Sequence, residues 1–451
     1  MIRLYDTATR QVRPLHLRDD GKVSIYVCGP TVYGPPHLGH GRHVLVYDVL
    51  RRYLTHLGLE VLFVSNITDI DDKIINRAIE EDRPWTDVAK EFEELWWTCL
   101  EHLNVSMPDE APHATDYVDD MVALIGKLIE NGKAYVTGDG VYLSTAEVVD
   151  YGMLANQSVD NLVEGGGDRE VVGTEKRHSA DFALWKFTKP GEPSWPSPWG
   201  AGRPGWHTEC VVMSLDLLGE GFDLHTGGLD LVFPHHENER AQVVALGQEF
   251  AGHWMHHGFV ELEGEKMSKS LGNVMNLSEL IEKYDPRAYR LLILQSHYRS
   301  PMEVTEKTLQ NAEAAIARLD AFVRRSECGD PTAVDAGVVA EFEAAMNEDL
   351  NTARAVDLMF DQVRQANAAV DQADTVTSAR CAETALLIAG VLGIELGHAD
   401  EAPAEVVELA SQRAEAKANK DFARADEIRD QLVEAGWRVE DSADGPVLSR
   451  L

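Results

Sequence analysis

Cysteine is scarce in this chain: there are five in 451 residues, at Cys28, Cys99, Cys210, Cys328 and Cys381. An odd number spread so widely excludes a disulfide framework. It suits a reducing compartment, where a thiol is free, catalytic or metal-bound. Long apolar runs are missing too. No stretch approaches the ~18 residues of a membrane span, and the opening MIRLYDTATRQVRPL has no apolar signal core. A soluble, cytoplasmic protein with no membrane partner is therefore expected. Positive charge is the third shortage, because 41 Lys and Arg against 76 Asp and Glu leave a formal net charge of −35. Nucleic-acid partners leave a basic footprint, so the net value alone speaks against one. It says nothing of local patches, however, and an acidic surface also favours solubility.

At 44% hydrophobic the chain can bury a large core, and its length points to more than one domain. IYVCG (25–29) and VLFVSNIT (61–68) are β-rich runs, and HVLVYDVLRRYLTHLG between them has helical spacing and a glycine stop. Together they read as a βαβ unit, which implies a parallel sheet. Acidic helical segments are predicted over roughly 75–102 and 115–132, and a stretch rich in Gly, Pro and Trp then runs to about Gly205, long enough to be an insertion. Strand-like GFDLHTGGLDLVF (221–233) completes the sheet. From Thr305 onward Ala, Glu, Arg and Leu recur at helical spacing and predict a separate bundle. A linker at 398–404 leads to one last helix, LASQRAEAKANKDFARADEIRDQLVEAG, and a terminal hairpin. The expected fold is α/β: a Rossmann-like parallel-sheet catalytic domain split by an insertion, then an α-helical bundle and a small C-terminal module. The expected boundaries are 1–115, 116–204, 205–304, 305–397 and 405–451.

Three patterns carry chemistry. HLGH (37–40) falls where the first strand gives way to its helix, the edge at which open α/β sheets bind ligands and helix N-termini attract phosphate. KMSKS (266–270) sets two lysines among hydroxyls just ahead of LGN, and lysines are point charges suited to a polyphosphate. Either pattern alone is also what a turn or a solvated basic loop would show. Cys28, Cys210, and the His235 and Glu239 of FPHHENE, spaced i, i+4, supply two thiolates, an imidazole and a carboxylate, a plausible tetrahedral zinc set. Spacing cannot show that they converge. TDIDDK (68–73) is read as a turn and helix start rather than a carboxylate metal cluster, and Trp96, Trp97, Trp195 and Trp199 as packing residues.

HLGH and KMSKS together resemble the two signatures of class I aminoacyl-tRNA synthetases. Over essentially its whole length the chain resembles the cysteinyl-tRNA synthetase family, through YVCGPTVYGPPHLGHGR, VSNITDIDDKII, DFALWKFTKPGEPSWPSPWGAGRPGWHTEC, TGGLDLVFPHHENE, KMSKSLGN and KDFARADEIRDQL. Gly34 replaces the Asp more usual in the family after the tyrosine, and Pro35 and Pro36 are added. The resemblance implies ATP-dependent activation of L-cysteine, with Mg²⁺, and transfer to tRNA(Cys) by a monomer. It implies that Cys28, Cys210, His235 and Glu239 hold one Zn²⁺ that reads the substrate thiolate. It also implies that His37, Gly39, His40, Lys266 and Lys269 serve ATP, and that Gly29, Thr31, Asn66, Thr68, Trp206, Gly227, Gly228 and Asp230 line the adenylate pocket. Two alternatives stay open at this point: a cysteine ligase acting on an amino-sugar, as in mycothiol synthesis, and a non-catalytic tRNA-binding paralogue. The long helical part from about Thr305 weighs against the first, and the intact motifs weigh against the second.

Overall fold

The computed structural model describes residues 2–156, 175–262, 265–266, 275–326, 333–396, 403–442 and 445–450. Its centre is a four-stranded parallel sheet in the order Trp254–His257, Leu224–Gly228, Lys22–Val27, Glu60–Ser65. Parallel strands are covered on both faces, which is why KVSIYV is buried along nearly its whole length rather than alternating. The helix Leu38–His56 makes the crossover between Lys22–Val27 and Glu60–Ser65 and buries Leu45, Val49, Leu50 and Tyr53 against the core. The outer pair of strands comes from the far side of the insertion, so the chain leaves the sheet and returns to complete it.

The insertion carries its own antiparallel sheet, Ala134–Val136, Gly140–Leu143, Phe182–Phe187 and Gly202–Pro204 in that order, packed through Val141, Leu143, Leu184 and Trp185. Asp72 fastens it to the catalytic part by ion pairs to Lys186 and Arg203. Asp71 caps the helix Asp72–Glu80 by accepting from the Lys73 amide at 2.9 Å, so TDIDDK is a turn and helix start. Thr305 forms a capping box at the head of the helix Glu306–Arg325, at the residue where the composition shifts. The helices Ala336–Asn347, Thr352–Asp371 and Thr375–Val391 complete the bundle.

The structure departs from the sequence reading in three places. The tail helix is two, Ala404–Ala418 and Phe422–Glu434. Lys420 lies in the left-handed region (φ 59°), and the Asp421 carboxylate caps the second helix by accepting from the Arg424 amide. Within 221–233 the strand stops at Gly228, and Val232–His236 forms a wide turn that feeds the helix Glu237–Ala245. His235 therefore precedes the α-helix that carries Glu239, although the two were read as an i, i+4 pair. An N-terminal hairpin, Arg3–Asp6 with Gln11–Pro14, also lies outside the sequence reading.

Candidate active site

Cys28 stands one residue beyond the strand Lys22–Val27, and Cys210 lies in the helix Trp206–Leu218. Their Sγ atoms are 3.9 Å apart. Cys210 Sγ is 3.5 Å from His235 Nε2, Cys28 Sγ is 3.5 Å from Glu239 Oε1, and His235 Nε2 is 2.8 Å from that same oxygen. All four side chains are buried. A tetrahedral zinc with Zn–S near ~2.3 Å and Zn–N or Zn–O near ~2.0–2.1 Å spaces its donors roughly 3.3–3.8 Å apart. Three of these separations match that spacing to within about 0.2 Å, and the fourth is an ion pair that a metal would open. The residues present therefore fit the ion.

The electrostatics lean the same way. Burial and the adjacent Cys210 push the Cys28 thiol well up, whereas Cys210, hydrogen-bonded by Cys28 and close to His235, is drawn down to about 6. Burial opposes charge on His235, but Glu239 and Cys210 outweigh it and hold the imidazole near 9. Burial would raise Glu239, yet His235 and His225 hold it at about 2. A thiol poised to ionise beside a carboxylate and a cationic imidazole is a donor set in which a dication can take the protons' place.

A second group of donors overlaps the first. Cys28 and Glu239 also converge with His225 and His236, with Cys28 Sγ to His236 Nε2 at 3.2 Å and His225 Nε2 to Glu239 Oε2 at 2.7 Å. Sequence reasoning missed both histidines, although His236 is in the quoted FPHHENE and His225 in GFDLHTGG. His225 engages the carboxylate oxygen that His235 does not, and His236 is tied through Nδ1 to His256 Nε2 at 2.7 Å. Each therefore touches a donor of the first group directly, His225 at Glu239 and His236 at Cys28. His235 has contacts of its own: His207 Nδ1 lies 2.9 Å from its Nδ1, and Trp206 stacks on its ring at 3.9 Å and 16°.

Beside the thiols the backbone is drawn in tightly. A Cβ at Gly29 would collide with the Asn66 carbonyl oxygen, and the Gly29 amide donates to Asn66 Oδ1 at 2.9 Å. Asn66 Nδ2 donates to Thr68 Oγ1 at 3.2 Å, and Thr68 in turn donates to Glu209 Oε2 at 3.2 Å. Thr31 and Thr68 form a parallel bridge. Glu209, buried with its carboxyl pushed well up by that burial and by Cys210, is a further floor residue that sequence reasoning missed. Gly227 and Gly228 end the strand Leu224–Gly228, where a Cβ on Gly227 would press on His236, and Asp230 lies exposed just beyond.

His37 is the N-cap of the helix Leu38–His56; its amide donates to His40 Nδ1 at 3.1 Å, and the two rings stack at 3.8 Å. Gly39 sits between them in the first turn. The segment that follows KMSKS is tied to this same turn: Leu38 N–H donates to the Met275 carbonyl at 3.3 Å, Leu277 N–H donates to the Pro36 carbonyl at 2.7 Å, and His37 bridges Asn276. On the other side of the motif, the backbone of Lys266 pairs with Glu261. Residues 267–274, Lys269 among them, lie outside the described residues, as does Cys328.

A parallel sheet that binds at its carboxyl edge, split by an insertion and followed by a helical bundle, is the architecture of a class I tRNA synthetase. Residues 14–314 match the model of the class I (C) tRNA synthetase catalytic domain, and residues 341–397 match the DALR domain. A Mycobacterium tuberculosis methionyl-tRNA synthetase bound by methionyl-adenylate superposes with a TM-score of 0.64 over 83% of this chain and 92% of that one, a likeness of fold at 15% identity. Within the class, the chain belongs to the cysteine–tRNA ligase family. It is 43% identical to the cysteine–tRNA ligase of Streptomyces griseus over 99% of this chain and 98% of that protein. It is 42% identical to that of Alkalilimnicola ehrlichii over the full length of both. It is a ligase that forms aminoacyl-tRNA, with an amino acid, ATP and tRNA as substrates.

Proposed function

We propose that Cys28, Cys210, His235 and Glu239 hold one zinc ion that reads the thiolate of the substrate cysteine. The convergence of these four donors, from three separated parts of the chain, carries the reading. When bound, zinc favours a deprotonated sulfur donor, which sets cysteine apart from serine and alanine where burial of one small side chain yields only ~1–3 kcal/mol of discrimination.

The chain's own residues do the rest by positioning. His37 and His40, with Gly39 admitting close approach, hold phosphate oxygens of ATP at the helix N-terminus, and Lys266 and Lys269 meet the polyphosphate together with Mg²⁺. Gly29, Thr31, Asn66, Thr68, Trp206, Gly227, Gly228 and Asp230 line the adenylate pocket. The cysteine carboxylate attacks the α-phosphate in line and pyrophosphate leaves. A terminal ribose hydroxyl of tRNA(Cys), the 2′ by the class pattern, then attacks the adenylate carbonyl, loses its proton and forms the ester as the bond to phosphate breaks and AMP leaves. We further assign the units 1–115, 116–204, 205–304, 305–397 and 405–451 to a monomeric, cytoplasmic enzyme; among the described residues Cys28, Cys99, Cys210 and Cys381 form no disulfide, which supports a reducing location.

The test is cysteine-dependent ATP–pyrophosphate exchange followed by charging of tRNA(Cys) against an amino-sugar acceptor. Exchange with tRNA charging is the expected result, and exchange with amino-sugar ligation alone would overturn the reading. Lys269→Ala is expected to lose most of the exchange rate with a smaller effect on cysteine binding. A near-normal rate would remove Lys269 from the mechanism.

A further inference from the structure

Arg42, two residues beyond His40, is fully buried, yet among the described residues its guanidinium bonds no carboxylate. Its partners are four carbonyl oxygens: Phe259 at 2.7 Å, His297 at 3.3 Å, Tyr298 at 3.0 Å and Ser300 at 2.6 Å. Burial draws its pKa down to about 10, which leaves it charged at neutral pH. A buried charge without a counter-ion is costly, so a fold that needed only packing here would be better served by an apolar side chain.

The four carbonyls share one location. Phe259 immediately precedes the strand Val260–Leu262, and Ser300 comes just before Met302–Glu303. Those two strands pair in parallel, Val260 with Met302, and Val260–Leu262 pairs on its other edge with Glu265–Lys266. The backbones at this junction are packed to contact, because a Cβ on Gly258 would lie 2.6 Å from the Ser300 oxygen and 2.7 Å from that of Arg299. A planar fork of donors can span several acceptors at once, which a point-charge lysine cannot.

We infer that Arg42 is a positioning residue that fixes the three-stranded sheet bearing Lys266 in register with the helix turn bearing His37 and His40. The two halves of the phosphate site are thereby held as one body. This rests on the proposed role of Lys266 at the polyphosphate. Misplacing a positioned group by about 1 Å costs on the order of 100-fold in rate, so the effect falls on turnover rather than on cysteine binding.

The experiment measures cysteine-dependent pyrophosphate exchange for Arg42→Lys, Lys266→Ala and the double variant. Arg42→Lys is expected to lower kcat by at least about tenfold with the KM for cysteine within about twofold. The double variant is expected to be no slower than Lys266→Ala, because Arg42 acts through that lysine. Gly258→Ala, which forces the same strands apart while leaving Arg42 in place, is expected to reproduce the kcat loss. Multiplicative losses in the double variant, parallel changes in kcat and KM, or a wild-type kcat in Arg42→Lys would each overturn the inference. If Lys266→Ala is itself without effect, the phosphate-site reading fails. If Lys266→Ala is slow and Arg42→Lys is not, only this inference fails.

Discussion

Two thiols buried 3.9 Å apart, with an imidazole and a carboxylate closing on them, leave little room for a purely structural account of Cys28 and Cys210. Which histidine completes the set is a residue-scale question, because His236 reaches Cys28 Sγ at 3.2 Å while His235 reaches Cys210 Sγ at 3.5 Å. The account assigns His235 as a donor and His236 as a support. Cys210→Ala is accordingly expected to lose zinc, and His236→Gln to keep close to one zinc per chain, as measured by metal analysis of the purified protein. A zinc-free His236→Gln with zinc retained in Cys210→Ala would reverse the assignment. Gly29 makes a separate prediction. A Cβ there collides with the Asn66 oxygen, so Gly29→Ala is expected to cost on the order of 100-fold in exchange rate by displacing the Asn66–Thr68 floor. An unaffected rate would show that the floor yields freely. At this scale the sequence offered candidate donors, but their convergence came only from the family resemblance. His225 and Glu209 carried no spacing signal, because a buried support shows itself only by what it touches.

At the scale of elements, the helix Leu38–His56 joins the site to the rest of the molecule. Its N-terminus presents His37 and His40, and its middle carries Asp48, buried and paired with Arg290 Nη1 at 2.7 Å and Arg52 Nε at 2.8 Å. Arg290 also donates to the carbonyls of Leu103, Asn104 and Leu392, so one guanidinium binds the catalytic helix, the end of the helix Trp85–His102 and the end of the bundle helix Thr375–Val391. Burial would raise the Asp48 carboxyl, but Arg290 and Arg52 hold it below its usual value. Removing one member of such a pair strands the other. Asp48→Ala is expected to destabilise the fold by about 3–5 kcal/mol, read from the shift in its urea unfolding transition. A loss under about 1 kcal/mol would place the pair among ordinary surface contacts. The βαβ unit and the bundle were legible because apolar periodicity and the change of composition at Thr305 are local signals; the Thr305 capping box that starts the helix was not read. The break at Lys420 was not, since NKD inside an otherwise helical pattern marks a cap only once the backbone turns. The hairpin Arg3–Asp6 with Gln11–Pro14 escaped notice because its strands are only four residues each.

Over the whole molecule the formal charge of −35 sets a mean repulsion that opposes compactness. Salt shortens its reach, from a Debye length of about 30 Å at 0.01 M to about 3 Å at 1 M. Thermal unfolding followed by circular dichroism in KCl is therefore expected to show Tm rising across that range, and a Tm that falls with KCl would mean that local ion pairs outweigh the global field. The acidity had argued against a nucleic-acid partner, yet the chain belongs to a family that charges tRNA. Net charge is a sum over the surface, whereas tRNA meets only part of it. Exposed cations such as Arg318, Arg324 and Lys420 sit within an acidic whole that the sum conceals.

The central claim is that a metal at Cys28, Cys210, His235 and Glu239 is what distinguishes cysteine. Its most direct measurement is pyrophosphate exchange with cysteine and with serine, on the protein as purified, after chelation, and after zinc is restored. The account predicts strong preference for cysteine in the first state, loss of cysteine-dependent exchange on chelation, and recovery with one equivalent of zinc per chain. Full cysteine preference persisting in protein shown to be free of metal would contradict it.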